Sequence, residues 1–254
     1  MRCNVKLVVW FLGCLIAGCL AFGENPDALK IAAAANLAPV APEIQADFNK
    51  IYPEANLQFI FNASGALTTQ ITKGAPFDIF LSADMTFPEQ LKKKGFAAIG
   101  PVKYTNGRCV LMTTRTDLNL HQGLSVVSDS KVKLIAIANP ALAPYGSAAV
   151  AQLKQAGLWN SLQNKVVYAG TISQAFQYAT TATDIGFIAK SALYGKSGQK
   201  YNVEGTYWID INAPIAQGMI ALASVNHKKY VKEFYDYMLS ARAQKIMERY
   251  GYAQ

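Results

Sequence analysis

From residue 29 onward the hydrophobic pattern alternates between two periods. Residues 29–35 form an apolar run of strand length, after which Val40, Ile44, Phe48 and Ile51 recur at helical spacing. Residues 57–61 read as a second strand, and 66–73 as a short helix that Gly74 can end. Residues 78–82 are a third strand. Residues 86–94 are the next helix, with Asp84 or Thr86 as its cap and Gly95 after its end. Strand followed by helix, three times over, predicts an α/β fold with a mostly parallel sheet and helices on both faces.

A second cycle follows. Strands are expected at 109–113, 134–138, 166–168 and 185–188, and helices at 147–155 and 173–181. Residues 215–223 look like a long buried strand, and the chain ends in helices at 228–239 and 241–250. No Pro/Gly/Ser-rich linker separates the two cycles. Continuous strands joining two lobes are therefore expected, with 106–112 crossing one way and 213–221 crossing back. The expected division is 24–107 plus 218–254 for the first lobe and 108–217 for the second.

The first 23 residues have a different character. Arg2 and Lys6 precede an uncharged apolar run from Leu7 to Phe22. That run is shorter than the roughly 20 residues needed to span a bilayer, and it fits a secretory signal peptide. Ala21-Phe22-Gly23 suits ordinary cleavage before Glu24, while Ile16-Ala17-Gly18-Cys19 suits a lipid anchor on Cys19. Loss of residues 1–23 removes two basic and no acidic side chains. That leaves 22 basic against 16 acidic, a net charge of +6, on 231 residues. It also leaves Cys109 as the sole cysteine, so the fold must rest on its core. The basic charges are scattered. The densest run, Lys92-Lys93-Lys94, falls at a helix end, where cations suit the helix dipole, so nucleic acid is not an expected partner.

Candidate chemistry collects at four strand-to-helix junctions: Ala34-Ala35-Asn36-Leu37, Asn62-Ala63-Ser64-Gly65-Ala66, Asn139-Pro140 running to Pro144-Tyr145-Gly146-Ser147, and Ala169-Gly170-Thr171-Ile172-Ser173. Ligands of open α/β sheets bind at the carboxyl ends of strands. Helices that start there offer backbone N–H groups without internal partners, which suit an anion. Asn36, Ser64 and Ser173 are equally common as plain helix caps. The pattern alone therefore names no ligand.

Five ordered segments narrow the choice. They are Ala32 through Leu37, Ser64 through Ile71, Gly74 through Asp84, Asn139-Pro140 through Tyr145-Gly146, and Ala243-Gln244-Lys245-Ile246 to Arg249-Tyr250-Gly251-Tyr252. In this series the chain resembles the periplasmic molybdate-binding proteins of bacterial ABC transporters, a branch of the extracellular solute-binding proteins. The resemblance implies the two-lobed type II periplasmic-binding-protein fold, with a buried pocket between lobes for molybdate or tungstate. It implies no cofactor, no catalysis, a membrane permease with its ATPase as partners, and a monomer. By position, the ligand contacts fall on Asn36 (side chain), Ala35 (backbone N–H), Ser64 (hydroxyl and N–H), and Tyr145 and Ile172 (N–H). Ala189 stands where some relatives place a tyrosine hydroxyl in the pocket. Two readings of Tyr145 follow: its own hydroxyl replaces the missing one, or it packs at the lobe interface with that hydroxyl in water.

Neutral donors suit such a ligand. A buried lysine would carry a desolvation cost of several kcal/mol unless fully paired. An all-donor site disfavours protonated oxyanions such as hydrogen phosphate, whose hydroxyl would face another donor. It does not separate molybdate from sulfate, and another tetrahedral oxyanion is the alternative ligand. An exported enzyme acting on a small anionic substrate is the alternative class. It lacks support from a G-x-S-x-G elbow, a Walker A sequence or a G-x-G-x-x-G sequence. His121 and His227 lie far apart without ligand spacing and read as surface residues.

Overall fold

The computed structural model describes residues 28–223 and 229–253. The expected signal segment, both expected processing positions and His227 lie outside those residues. The elements run β1 (Leu29–Ala34), α1 (Ala41–Ile51), β2 (Leu57–Asn62), α2 (Ser64–Thr72), β3 (Ile79–Leu81), α3 (Thr86–Lys93), β4 (Ala97–Met112) and β5 (Ile135–Ala138). They continue α4 (Pro144–Gln155), α5 (Trp159–Leu162), β6 (Val166–Ala169), α6 (Ile172–Thr181), β7 (Ile185–Ala189), β8 (Trp208–Leu222), α7 (Val231–Leu239) and α8 (Ala241–Arg249).

The eight strands form one sheet in the order β2-β1-β3-β8-β4-β7-β5-β6. Its two wings are parallel: β1 pairs with β2 and β3, and β5 with β6 and β7. The centre is antiparallel, where β3 meets β8, β8 meets β4, and β4 meets β7. Strands β4 and β8, 16 and 15 residues long, pair along most of their length and run through both wings. At about 3.3 Å per residue each spans roughly 50 Å, twice the length of an ordinary strand or more.

Each wing has its own core, divided by the sheet into two clusters. In the first wing Leu29, Ile31, Phe48 and Phe234 pack on one side, and Leu67, Phe80 and Leu91 on the other. In the second wing Ile135, Ile137, Leu153 and Phe187 form one cluster, and Val110, Met112, Ile188 and Trp208 the other. Small residues of the first wing, Ala34, Ala35, Ala63 and Ala83, pack into the second wing's larger cluster. The wings therefore meet where β1, β2 and β3 end.

The expected alternation is present, with differences at the boundaries. Strand β4 begins at Ala97, not 109, and β8 at Trp208, not 215. Charged residues interrupt the apolar pattern in both, and the sheet accommodates them by pairing across strands: Arg108 meets Asp210 at 2.7 Å. Helix α4 begins at Pro144 rather than 147, because proline suits a first helical position. The last two helices are shorter than expected, Val231–Leu239 and Ala241–Arg249. The 3-10 segment Leu120–Ser128 escapes the periodicity, and buries Leu120, Val126 and Val127.

Candidate functional site

The junction residues converge. Ala34, Ala35 and Asn36 after β1, Asn62, Ala63 and Ser64 between β2 and α2, and Ala83 after β3 face Ala143, Pro144 and Tyr145 at the start of α4 and Ile172 at the start of α6. Together they line a cavity of about 10 Å³, space for one water-sized sphere. All five residues expected at the site, Ala35, Asn36, Ser64, Tyr145 and Ile172, are in this lining, whereas Ala189 at the end of β7 is not. Among the described residues, no Asp, Glu, Lys or Arg lines it.

Local geometry leaves donors available. Ser64 and Ile172 are the first residues of α2 and α6, and Tyr145 is the second of α4. Helix geometry gives their N–H groups no internal acceptor, and they make no other backbone hydrogen bond among the described residues. Ser64 is not a helix cap. Its Oγ accepts from the Ala83 N–H at 3.0 Å, which leaves its own proton free. Nor does Ser173 cap α6. Thr171 does so, accepting from the Gln174 N–H at 3.1 Å. Ser173 Oγ instead donates across the cleft to the Ala35 carbonyl at 2.9 Å. The Gly65 N–H also crosses the cleft, to the Leu142 carbonyl at 2.9 Å.

Behind the lining lies a buried polar layer that the sequence did not reveal. Asn36 Nδ2 donates to Gln217 Oε1 (3.1 Å) and to the Tyr252 hydroxyl (2.9 Å). Gln217 Oε1 also accepts from the Tyr104 hydroxyl (2.9 Å), and Gln217 Nε2 donates to the Tyr145 hydroxyl (3.1 Å). Tyr252 and Ser191 both donate to the Asn36 carbonyl, at 2.7 and 2.8 Å. The Tyr145 side chain is 1% exposed, so its hydroxyl bonds to protein rather than to solvent. Burial pushes the hydroxyls of Tyr104, Tyr145 and Tyr252 well above the ordinary tyrosine range and keeps them neutral. Gly107 is required by this layer: a Cβ there would lie 2.2 Å from both Gln217 Nε2 and the Tyr145 hydroxyl.

These partners come from β4, β8, the residues after β7 and the C-terminal tail. Tyr252 falls in a segment already singled out; Gln217, Tyr104 and Ser191 carry no local motif. His121, the other candidate among the described residues, is exposed and stands apart from the cavity. Tyr230 packs against Tyr52 at 5.5 Å between ring centroids, and Tyr237 against Phe48 at 5.2 Å, as aromatics of the first wing's core.

Two wings on continuous central strands, with a neutral donor-lined cleft at the strand ends, define the solute-binding class of α/β proteins. A sequence profile described as "Bacterial extracellular solute-binding protein" matches residues 29–253. The chain belongs to that family. The molybdate-binding protein ModA of Azotobacter vinelandii is 34% identical over 242 residues, covering 93% of this chain and 94% of the relative. The protein of the same name from Rhodobacter capsulatus is 34% identical over 226 residues, covering 87% and 86%. The solved periplasmic molybdate-binding protein of A. vinelandii superimposes with a TM-score of 0.81 at 30% identity, covering 89% of this chain and 99% of its own. The sulfate-binding protein SubI of Mycobacterium tuberculosis, at 11% identity and a TM-score of 0.72 with 89% and 86% covered, shares the fold. The two-lobed architecture expected from the sequence is thus the architecture of the chain.

Proposed function

We propose that this protein is an exported receptor, not an enzyme, that binds molybdate and tungstate and delivers them to a membrane permease driven by an ATPase. The observation that carries the proposal is the junction of Asn36, Ser64, Tyr145 and Ile172 around one buried cavity that no charged side chain lines among the described residues. Fixed N–H and hydroxyl donors stabilise a divalent oxyanion without the desolvation of a counter-charge. The ligand contacts are the Asn36 and Ser64 side chains and the backbone N–H groups of Ala35, Ser64, Tyr145 and Ile172. The 34% identity to proteins named for molybdate binding supports the choice of anion.

Residues 24–107 with 218–254 act as one lobe and 108–217 as the other, and β4 and β8 flex between them. A cavity of about 10 Å³ admits no five-atom oxyanion, so uptake requires the lobes to part and close again. No described helix is long and apolar enough to cross a membrane. The chain works as a monomer that meets its permease at the periplasmic membrane face. The test is titration calorimetry with sodium molybdate. Saturable binding of one anion per chain, not displaced by excess sulfate, is expected, and sulfate displacing molybdate at equal concentration would assign the protein to the sulfate receptors.

A further inference from the structure

Asn36 is buried and lines the cavity, yet its Oδ1 makes no hydrogen bond. A buried carbonyl oxygen without a donor is costly and rare. The reason lies on the other side of the same amide, where Nδ2 is held by Gln217 Oε1 and Tyr252. Gln217 is itself fully buried on β8.

The nitrogen and oxygen of an amide exchange places when its plane turns by half a revolution. The same heavy-atom positions therefore hold a second complete pattern. With both amides turned, Gln217 Nε2 donates to Asn36 Oδ1 and to the Tyr104 hydroxyl, which keeps its own donation to the Ser82 carbonyl at 3.2 Å. Gln217 Oε1 accepts from Tyr145. Tyr252 turns its proton to Asn36 Oδ1, and the Asn36 carbonyl keeps the donation from Ser191. Asn36 Nδ2 is then the group left for the cavity. Turning one amide alone sets two acceptors or two donors against each other across the 3.1 Å contact, so the two must turn together.

We propose that Gln217 is a specificity-determining residue that sets the polarity of the site through Asn36 and Tyr145. In one setting the cavity meets Asn36 Oδ1, an acceptor, and the Tyr145 proton. In the other it meets Asn36 Nδ2, while Gln217 holds the Tyr145 proton. A fully ionised oxyanion offers only acceptors and selects the second setting. An oxyanion that keeps one proton fits the first, donating to Asn36 Oδ1 and accepting from Tyr145. Asn36 and Tyr145 are thus never both donors to the ligand. The inference rests on the oxyanion reading above.

The test compares sodium molybdate with sodium phosphate at mildly alkaline pH, where both anions carry two charges and only phosphate keeps a proton. Calorimetry is run on the mature protein and on Gln217→Met, which keeps the length and removes both amide groups. Without Gln217, Asn36 Nδ2 and the Tyr145 hydroxyl can both donate to molybdate, whereas hydrogen phosphate gains no contact that the first setting did not already give it. The preference for molybdate over hydrogen phosphate should widen by about tenfold, the value of one hydrogen bond. A loss of affinity equal for both anions would show a packing role alone and overturn the proposal, as would an unmoved preference. Should Gln217→Met fail to fold, ¹⁵N side-chain amide spectra of the unaltered protein decide. Molybdate should shift one asparagine and one glutamine amide together, and saturation that moves no glutamine signal overturns the proposal. If the unaltered protein binds neither anion, the oxyanion reading falls as well, a result distinct from binding with an unmoved preference.

Discussion

Replacing Ser64 with alanine removes one oxygen that serves two partners. Its Oγ accepts from the Ala83 N–H at 3.0 Å and retains a proton for the cavity. Ser64 is 1% exposed and Ala83 3%, so water cannot replace the lost acceptor. An orphaned buried N–H costs about 1–3 kcal/mol. In a chain of this length each kcal/mol moves Tm by about 2–4 °C, so ligand-free Ser64→Ala should melt roughly 2–12 °C lower. The second loss appears in binding. A hydrogen bond to a charged ligand contributes about 1.5–3 kcal/mol, so molybdate affinity should fall roughly 10- to 150-fold. It should not vanish, because the N–H groups of Ser64, Tyr145 and Ile172 remain. Scanning fluorimetry of the ligand-free protein and calorimetry with molybdate read the two losses separately. An unchanged Tm with unchanged affinity would refute both assignments of the hydroxyl.

Three further outcomes test other parts of the structure. Gly146→Ala places a Cβ 1.9 Å from the Ala138 carbonyl oxygen, a backbone atom that cannot turn aside. Stability should fall by about 1–3 kcal/mol or more in urea unfolding, and no change would contradict the packing of α4 on β5. Asp47 is hydrogen-bonded by Arg242 and Tyr237, chiefly Arg242, which holds its carboxyl down at about 2, below the ordinary 3.8. Its contribution is complete above the unfolded value and is lost as pH falls from about 4 toward about 2. Asp47→Asn should therefore flatten the acid limb of a pH–stability curve, and an unaltered limb would contradict the pairing. Burial raises the Cys109 thiol well above its usual range, so it should resist thiol reagents until the chain unfolds; rapid labelling of the native protein would contradict that burial.

The strand-helix alternation is legible in the sequence because a buried parallel strand such as Leu29–Ala34 must be uniformly apolar, and its partner helices must repeat Val40, Ile44 and Phe48 on one face. The small residues at the junctions are legible for a similar reason, since a backbone that approaches a ligand closely leaves no room for large side chains. The long central strands are only half legible. Lys103, Arg108, Asp210 and Asn212 break their pattern, and the Arg108–Asp210 pair that resolves the charge joins residues 102 positions apart. The polar layer behind Asn36 is illegible for the same cause. Gln217, Tyr104, Ser191 and Tyr252 each look ordinary in place, and become a network only when β8, β4, the turn after β7 and the tail meet. Cap chemistry misleads locally: Ser64 and Ser173 sit where capping residues belong, but their hydroxyls serve Ala83 and Ala35 across the fold.

The most direct test of an oxyanion receptor is the melting temperature of the protein in a panel of molybdate, tungstate, sulfate and phosphate. An anion at about 1,000 times its dissociation constant adds about 4 kcal/mol of stability, or roughly 8–16 °C for this length of chain. Molybdate and tungstate should each produce that shift, while sulfate and phosphate at the same concentration produce little. No shift with any of the four would contradict the assignment of the cleft.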